Sequence, residues 1–77
     1  MKISFGSWLY LKRRYLGLSQ ADIANVLEIR SQTVSNWECD RTTPKLTLDQ
    51  FGKLQQLLQV TFEEMIKAGR NEIETSE

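Results

Sequence analysis

Between Arg30 and Cys39 the chain reads Arg-Ser-Gln-Thr-Val-Ser-Asn-Trp-Glu-Cys, rich in amides and hydroxyls and without a carboxylate until Glu38. Val34 and Trp37 are three residues apart and share one face of a helix. If that face packs inward, Ser31, Gln32, Ser35, Asn36 and Cys39 project outward, with Arg30 at the helix entrance. Gln and Asn are the side chains able to bond adenine bidentately through its N6 and N7 atoms, and Arg suits guanine. A phosphate-lined groove tolerates such a face, whereas a merely solvated one more often carries Glu and Lys. Hydrogen-bonded readout of base edges is therefore the chemistry these residues offer, with plain solvation as the alternative.

No other chemistry has a comparable inventory. The chain has no histidine and one cysteine, Cys39. A zinc site would need carboxylates almost alone, and nucleophilic catalysis lacks its commonest base. No cofactor, metal site or enzymatic activity is expected. A redox role for Cys39 competes with the commoner state of a free thiol acting as a small apolar residue. A single cysteine forms no internal disulfide and suits a reducing cytoplasm. No secretory signal is visible at the N-terminus, and no apolar run approaches the roughly 18 residues a membrane span needs.

The elements that must position this face read as helices, with no convincing strand. A first helix runs from about Ser7 to Leu16, with Phe5, Trp8, Leu11 and Tyr15 as its apolar positions and Gly17 as its terminator. Ser19 opens a second, with Asp22 completing a capping box and Ile23, Ala24 and Leu27 as the buried stripe. Only Glu28-Ile29-Arg30 separate it from the third. That connection is too short for bundle-like antiparallel packing and suits a helix-turn-helix, in which the second helix crosses the DNA backbone and the third enters the major groove. Ala24 supplies the small residue where the two helices approach.

Asp40 to Lys45 reads as a polar loop in which Pro44 prevents helix continuation. Thr47 with Gln50 caps a fourth helix carrying Leu48, Phe51, Leu54, Leu57 and Leu58. Thr61 with Glu64 caps a fifth that turns Met65 and Ile66 inward and closes at Gly69. The expected organisation is one all-α, five-helix domain over residues 1–69 and an acidic, frayed tail over 70–77.

Seventy-seven residues with zero net charge argue at first against nucleic acid. The distribution changes this. Residues 1–45 hold seven basic against four acidic side chains, and residues 46–77 hold three against six. A basic part can face phosphates while an acidic part faces away; chance scatter in a short chain is the alternative.

Leu16-Gly17-Leu18-Ser19-Gln20-Ala21-Asp22-Ile23-Ala24, then Ser31-Gln32-Thr33-Val34-Ser35-Asn36-Trp37-Glu38 and Pro44, resemble the Cro/CI-type (XRE) helix-turn-helix family of bacterial and phage repressors. The likeness covers roughly residues 5–68. It implies a lambda-repressor-like fold acting as a homodimer on a pseudo-palindromic double-stranded site. By position, it assigns base readout to Ser31, Gln32 and Asn36, beside Arg30. Phosphate contacts fall to Gln20, Thr33, Arg41, Thr43 and Lys45. Arg13 and Glu38 correspond to a salt bridge between the first and third helices, with a phosphate contact by Arg13 as the alternative. Glu28 and Asp40 stand where the family commonly has Gly, and Glu28 is expected to cost on the order of 1 kcal/mol if its φ is positive. Arg30 replaces the usual Ser or Thr cap, so either Ser31 takes over the cap or the helix starts without one. A protein-interaction module, such as an antitoxin or a regulator's partner, is the competing function, and neutral charge gives it weight.

Overall fold

The computed structural model describes residues 1–75, and five helices account for most of them. In chain order the elements are β1 (Lys2–Ile3), α1 (Phe5–Tyr15), α2 (Gln20–Leu27), α3 (Ser31–Glu38), α4 (Leu48–Leu58), α5 (Phe62–Gly69) and β2 (Ile73–Glu74). Local chemistry sets most helix starts. The Ser19 hydroxyl accepts from the Asp22 amide while the Asp22 carboxylate accepts from the Ser19 amide, and Thr47 with Gln50 repeats the exchange. Ser4 caps α1, so that helix begins two residues earlier than the sequence suggests. Thr61 caps α5, but Glu64 does not reciprocate. Its carboxylate instead accepts from the Trp8 indole at 2.9 Å and pairs with Lys12 at 3.1 Å, binding α5 to α1.

The helix ends share one device. Gly17, Glu28, Asp40, Gln59 and Asn71 all take positive φ near 60–70°, and the following amide in each case reaches back five residues to a carbonyl of the closing helix. Glycine occupies this left-handed position once. For Glu28 and Gln59 the Cβ contact with the backbone carries a cost that Asp and Asn bear more lightly. Gly69 does not close α5 through a left-handed turn; Asn71 does, because its side-chain oxygen also accepts from the Phe5 amide at 2.8 Å. Glu28→Gly should raise stability by about 0.5–1 kcal/mol, since the residue is exposed and its ion pair with Lys53 spans a weak 3.9 Å. A urea titration showing an unchanged or lower midpoint would remove strain as the reason.

The core gathers Phe5, Trp8 and Leu9 from α1, Ile23, Ala24 and Leu27 from α2, Val34 and Trp37 from α3, Leu54 and Leu58 from α4, and Met65 and Ala68 from α5. Three apolar positions read as core face solvent instead. Leu11 is 53% exposed, Tyr15 86% and Leu48 92%, while Leu9 is fully buried. Helix α1 carries two overlapping apolar stripes, and packing against α3 and α5 selects the one through Phe5, Trp8 and Leu9. Leu48, in the first turn of α4, stands roughly 100° around the helix from the buried stripe of Leu54 and Leu58. Ile66 is half-buried.

The expectation of no strand is corrected. Lys2 and Ile3 pair antiparallel with Glu74 and Ile73, and the Thr75 amide donates to the Met1 carbonyl at 2.8 Å. Ile3 and Ile73 pack against the core, so burial of two isoleucines joins the chain ends. The segment after Arg70 thus has structure through Thr75, and the part of the expected tail at residues 76 and 77 lies outside the described residues. Among the described residues no helix is long and apolar enough to cross a membrane, and no cluster of three metal-ligating side chains occurs.

Candidate nucleic-acid interface

Three residues, Glu28 to Arg30, connect α2 to α3, and half-buried Ile29 anchors that turn to the core. Ala24 is buried where these two helices meet. Val34 is fully buried and Trp37 nearly so, which settles the orientation of α3 about its axis. The opposite face then follows. Arg30, Ser31 and Gln32 are exposed, Ser35 and Asn36 are half-exposed, and Cys39 is exposed at the helix end.

Arg30 occupies the N-cap position in extended conformation and makes no side-chain cap. Ser31 does not take over that role, since it already lies inside the helix. The first amides of α3 therefore lack a side-chain partner and point out of the turn. Along the exposed face, the Gln32 side-chain amide donates to the Asn36 side-chain oxygen at 3.1 Å, a contact available to residues four apart on one helix.

A second cluster fastens α3 to its neighbours. Arg13 Nε donates to Glu38 Oε2 at 2.8 Å and Arg13 Nη2 to Glu38 Oε1 at 3.1 Å, a two-pronged pair with side chains only 12% and 4% exposed. Arg13 Nη1 also donates to the Leu18 carbonyl. Gln20 Nε2 completes the cluster, donating to Glu38 Oε1 at 3.0 Å. One carboxylate thus receives three donors and joins α1, the start of α2 and the end of α3. The guanidinium of Arg13 is held above its ordinary pKa, chiefly by its hydrogen bond to Glu38. Arg13 therefore stays charged throughout the ordinary pH range, and its own titration adds no pH dependence to stability there.

Thr33 is half-buried on the flank of α3, while Arg41, Thr43 and Lys45 are exposed in the loop that follows it. Among the described residues, Arg30, Arg41 and Lys45 have no acidic partner within ion-pair distance. Uncompensated cations therefore stand at both ends of the amide face. Of the candidate residues, the fold joins Gln20 with Arg13 and Glu38, and Gln32 with Asn36, and leaves the loop residues separate.

Two features escape inspection of sequence motifs. Tyr10 accepts from Arg14 Nη1 at 2.8 Å and lies beneath the Arg13 and Arg14 guanidiniums, a spacing of three and four residues that helix geometry could have signalled. Gly6 lets the start of α1 approach the end of α3; a Cβ there would overlap the Trp37 carbonyl oxygen and come within 2.6 Å of Asp40 Oδ1. No local pattern marks that glycine.

No family model and no curated protein matches the sequence. Among solved structures, the chain is similar to the P22 c2 repressor protein in complex with synthetic operator 9T in the presence of Tl+, with a TM-score of 0.69. The alignment covers 84% of this chain and 96% of that one at 22% identity, which establishes a common fold. The architecture is the five-helix, lambda-repressor-like one, with α2 and α3 as its helix-turn-helix.

Proposed function

We propose that this chain is a sequence-specific regulator of transcription, a repressor, that binds double-stranded DNA with α3 in the major groove. The observation that carries this reading is the exposed amide and hydroxyl face of α3, oriented by buried Val34 and Trp37 and flanked by unpaired cations. The common fold with a repressor crystallised on operator DNA supports it. B-form DNA is the fitting partner because the major groove of an RNA helix is too narrow for such a helix.

In this reading Arg30, Ser31, Gln32 and Asn36 meet base edges. Gln20, at the positive N-terminus of α2, meets a phosphate through its backbone amide while its side chain stays on Glu38. Thr33, Arg41, Thr43 and Lys45 hold the flanking phosphates. Arg13 and Glu38 act structurally. A cytoplasmic location goes with this function.

The regulator acts as a homodimer through an apolar patch at the starts of α4 and α5. Leu48 is 92% exposed and Phe62 60%, and the Phe62 ring lies 5.8 Å from that of Phe51, three residues along α4 from Leu48. Two recognition helices so joined would sit about 34 Å apart, one turn of DNA. Leu48→Glu should shift the protein to monomer in sedimentation and weaken binding to a two-half-site duplex while leaving the fold intact.

Affinity for short duplexes against salt tests the function directly. Log affinity should fall linearly with log salt, with a slope reflecting several phosphates. Failure of every duplex in a random pool to bind near ~50 mM salt would end the DNA reading and favour the protein-interaction module.

A further inference from the structure

We infer that Gln32 and Asn36 work as one reading unit, in which Asn36 positions the Gln32 amide for adenine and itself reads the neighbouring base pair. This rests on the DNA-binding reading above and specifies its readout. The observation is the 3.1 Å hydrogen bond from Gln32 Nε2 to Asn36 Oδ1 on the exposed face of α3.

A glutamine amide has two N–H donors and one carbonyl oxygen. Bidentate recognition of adenine uses the oxygen, which accepts from N6, and the proton on the same edge, which is donated to N7. The second proton lies on the far side of Nε2 and is surplus to that contact. Donated to Asn36, it leaves the adenine-complementary edge of Gln32 free and removes the ambiguity of which way the amide faces. An unsupported glutamine at 32 could turn its amide over and present donor and acceptor in the reverse order. The bond to Asn36 selects one order.

Asn36 keeps both Nδ2 protons, while its oxygen already accepts from Gln32 and has one lone pair left. The unit therefore presents one acceptor–donor pair from Gln32 and chiefly donors from Asn36. Its complement is an adenine beside a base with only acceptors on its major-groove edge, namely guanine at N7 and O6 or thymine at O4. The side chains are four residues apart, one turn of helix, so they fall on adjacent base pairs rather than on distant ones. A pair that merely stabilises an exposed helix turn would have no such effect on base preference.

The test starts from a duplex selected by the full chain from a random pool, with dissociation constants measured for the wild type, Gln32→Ala, Asn36→Ala and the double variant. Each is measured on the selected site, on single-base substitutions, and on a site carrying 7-deazaadenine at the position where Gln32→Ala relaxes preference. Gln32→Ala should lower discrimination at that adenine about 10- to 100-fold. Asn36→Ala should lower it about fivefold at the same adenine, by freeing the Gln32 side chain, and should also relax the adjacent base pair. The double variant should discriminate at the adenine no worse than Gln32→Ala alone, and 7-deazaadenine should weaken the wild type but not the double variant. Thermal midpoints within a few degrees of the wild type would confirm that these exposed substitutions leave the fold in place.

Losses that multiply in the double variant, or an Asn36→Ala protein with undiminished adenine preference, would overturn the unit while leaving DNA binding standing. Selection of no duplex at all overturns both.

Discussion

Gly6→Ala should destabilise the protein by about 3 kcal/mol, a large share of the roughly 5–15 kcal/mol that holds a domain folded. The expectation comes from geometry rather than from helix propensity, which by itself favours Ala over Gly. Gly6 is buried in the first turn of α1, where an added methyl would meet the backbone carbonyl of Trp37 and the carboxylate of Asp40 at 2.6 Å. The Asp40 side chain could turn away, at the loss of its bond from the Ser4 hydroxyl. The Trp37 carbonyl cannot, because Trp37 is part of α3 and its indole is buried in the core. Relief requires α1 and the end of α3 to separate, and the same movement would shift the recognition face. Urea unfolding monitored by tryptophan fluorescence measures the change. A variant as stable as the wild type, or more so, would show that α1 does not approach α3 this closely.

Glu38→Ala should cost about 3 kcal/mol, because it leaves the Arg13 guanidinium nearly buried with the Leu18 carbonyl as its one hydrogen-bond acceptor. Arg13→Ala should cost a similar amount, since it leaves the Glu38 carboxylate, only 4% exposed, with Gln20 as its remaining donor. The replacement of both by apolar residues of similar size, Arg13→Met with Glu38→Leu, should recover most of the loss, as buried pairs often contribute little net stability over a hydrophobic substitute. A double-mutant cycle of Arg13→Met, Glu38→Leu and the two combined, by urea titration, separates the two cases. If the double variant is as unstable as the sum of the single ones, the pair is not energetically coupled and the tie between α1 and α3 lies elsewhere.

The capping residues Ser19, Thr47 and Thr61, the terminating Gly17 and the spacing of Val34 and Trp37 were all legible, because each acts within a turn or two of chain. So was the special backbone of Glu28 and Asp40, although only through likeness to a family that has glycine there. The choice between Leu9 and Leu11 in α1 was not. Leu9 fits helical spacing with Phe5, and Leu11 fits it with Trp8 and Tyr15, so only the neighbouring helices decide which stripe is covered. The pairing of Ile3 with Ile73 was equally hidden, since a two-residue strand has no alternation to detect and its partner is seventy residues away.

The candidate interface divides in the same way. The outward face of α3, with Arg30, Ser31, Gln32 and Asn36, follows from the sequence once Val34 and Trp37 are taken as buried, because a helix of fixed pitch has only one opposite side. The bond between Gln32 and Asn36 is also local, although spacing alone does not say that the two amides meet. What holds that face in place belongs to the tertiary structure: the joining of Gln20 to the Arg13–Glu38 pair that the family likeness implies, the approach of α1 at Gly6, and the bond from the Phe5 amide to Asn71. These contacts join residues 18 to 66 positions apart, so their partners are chosen by how the helices pack and not by any pattern along the chain.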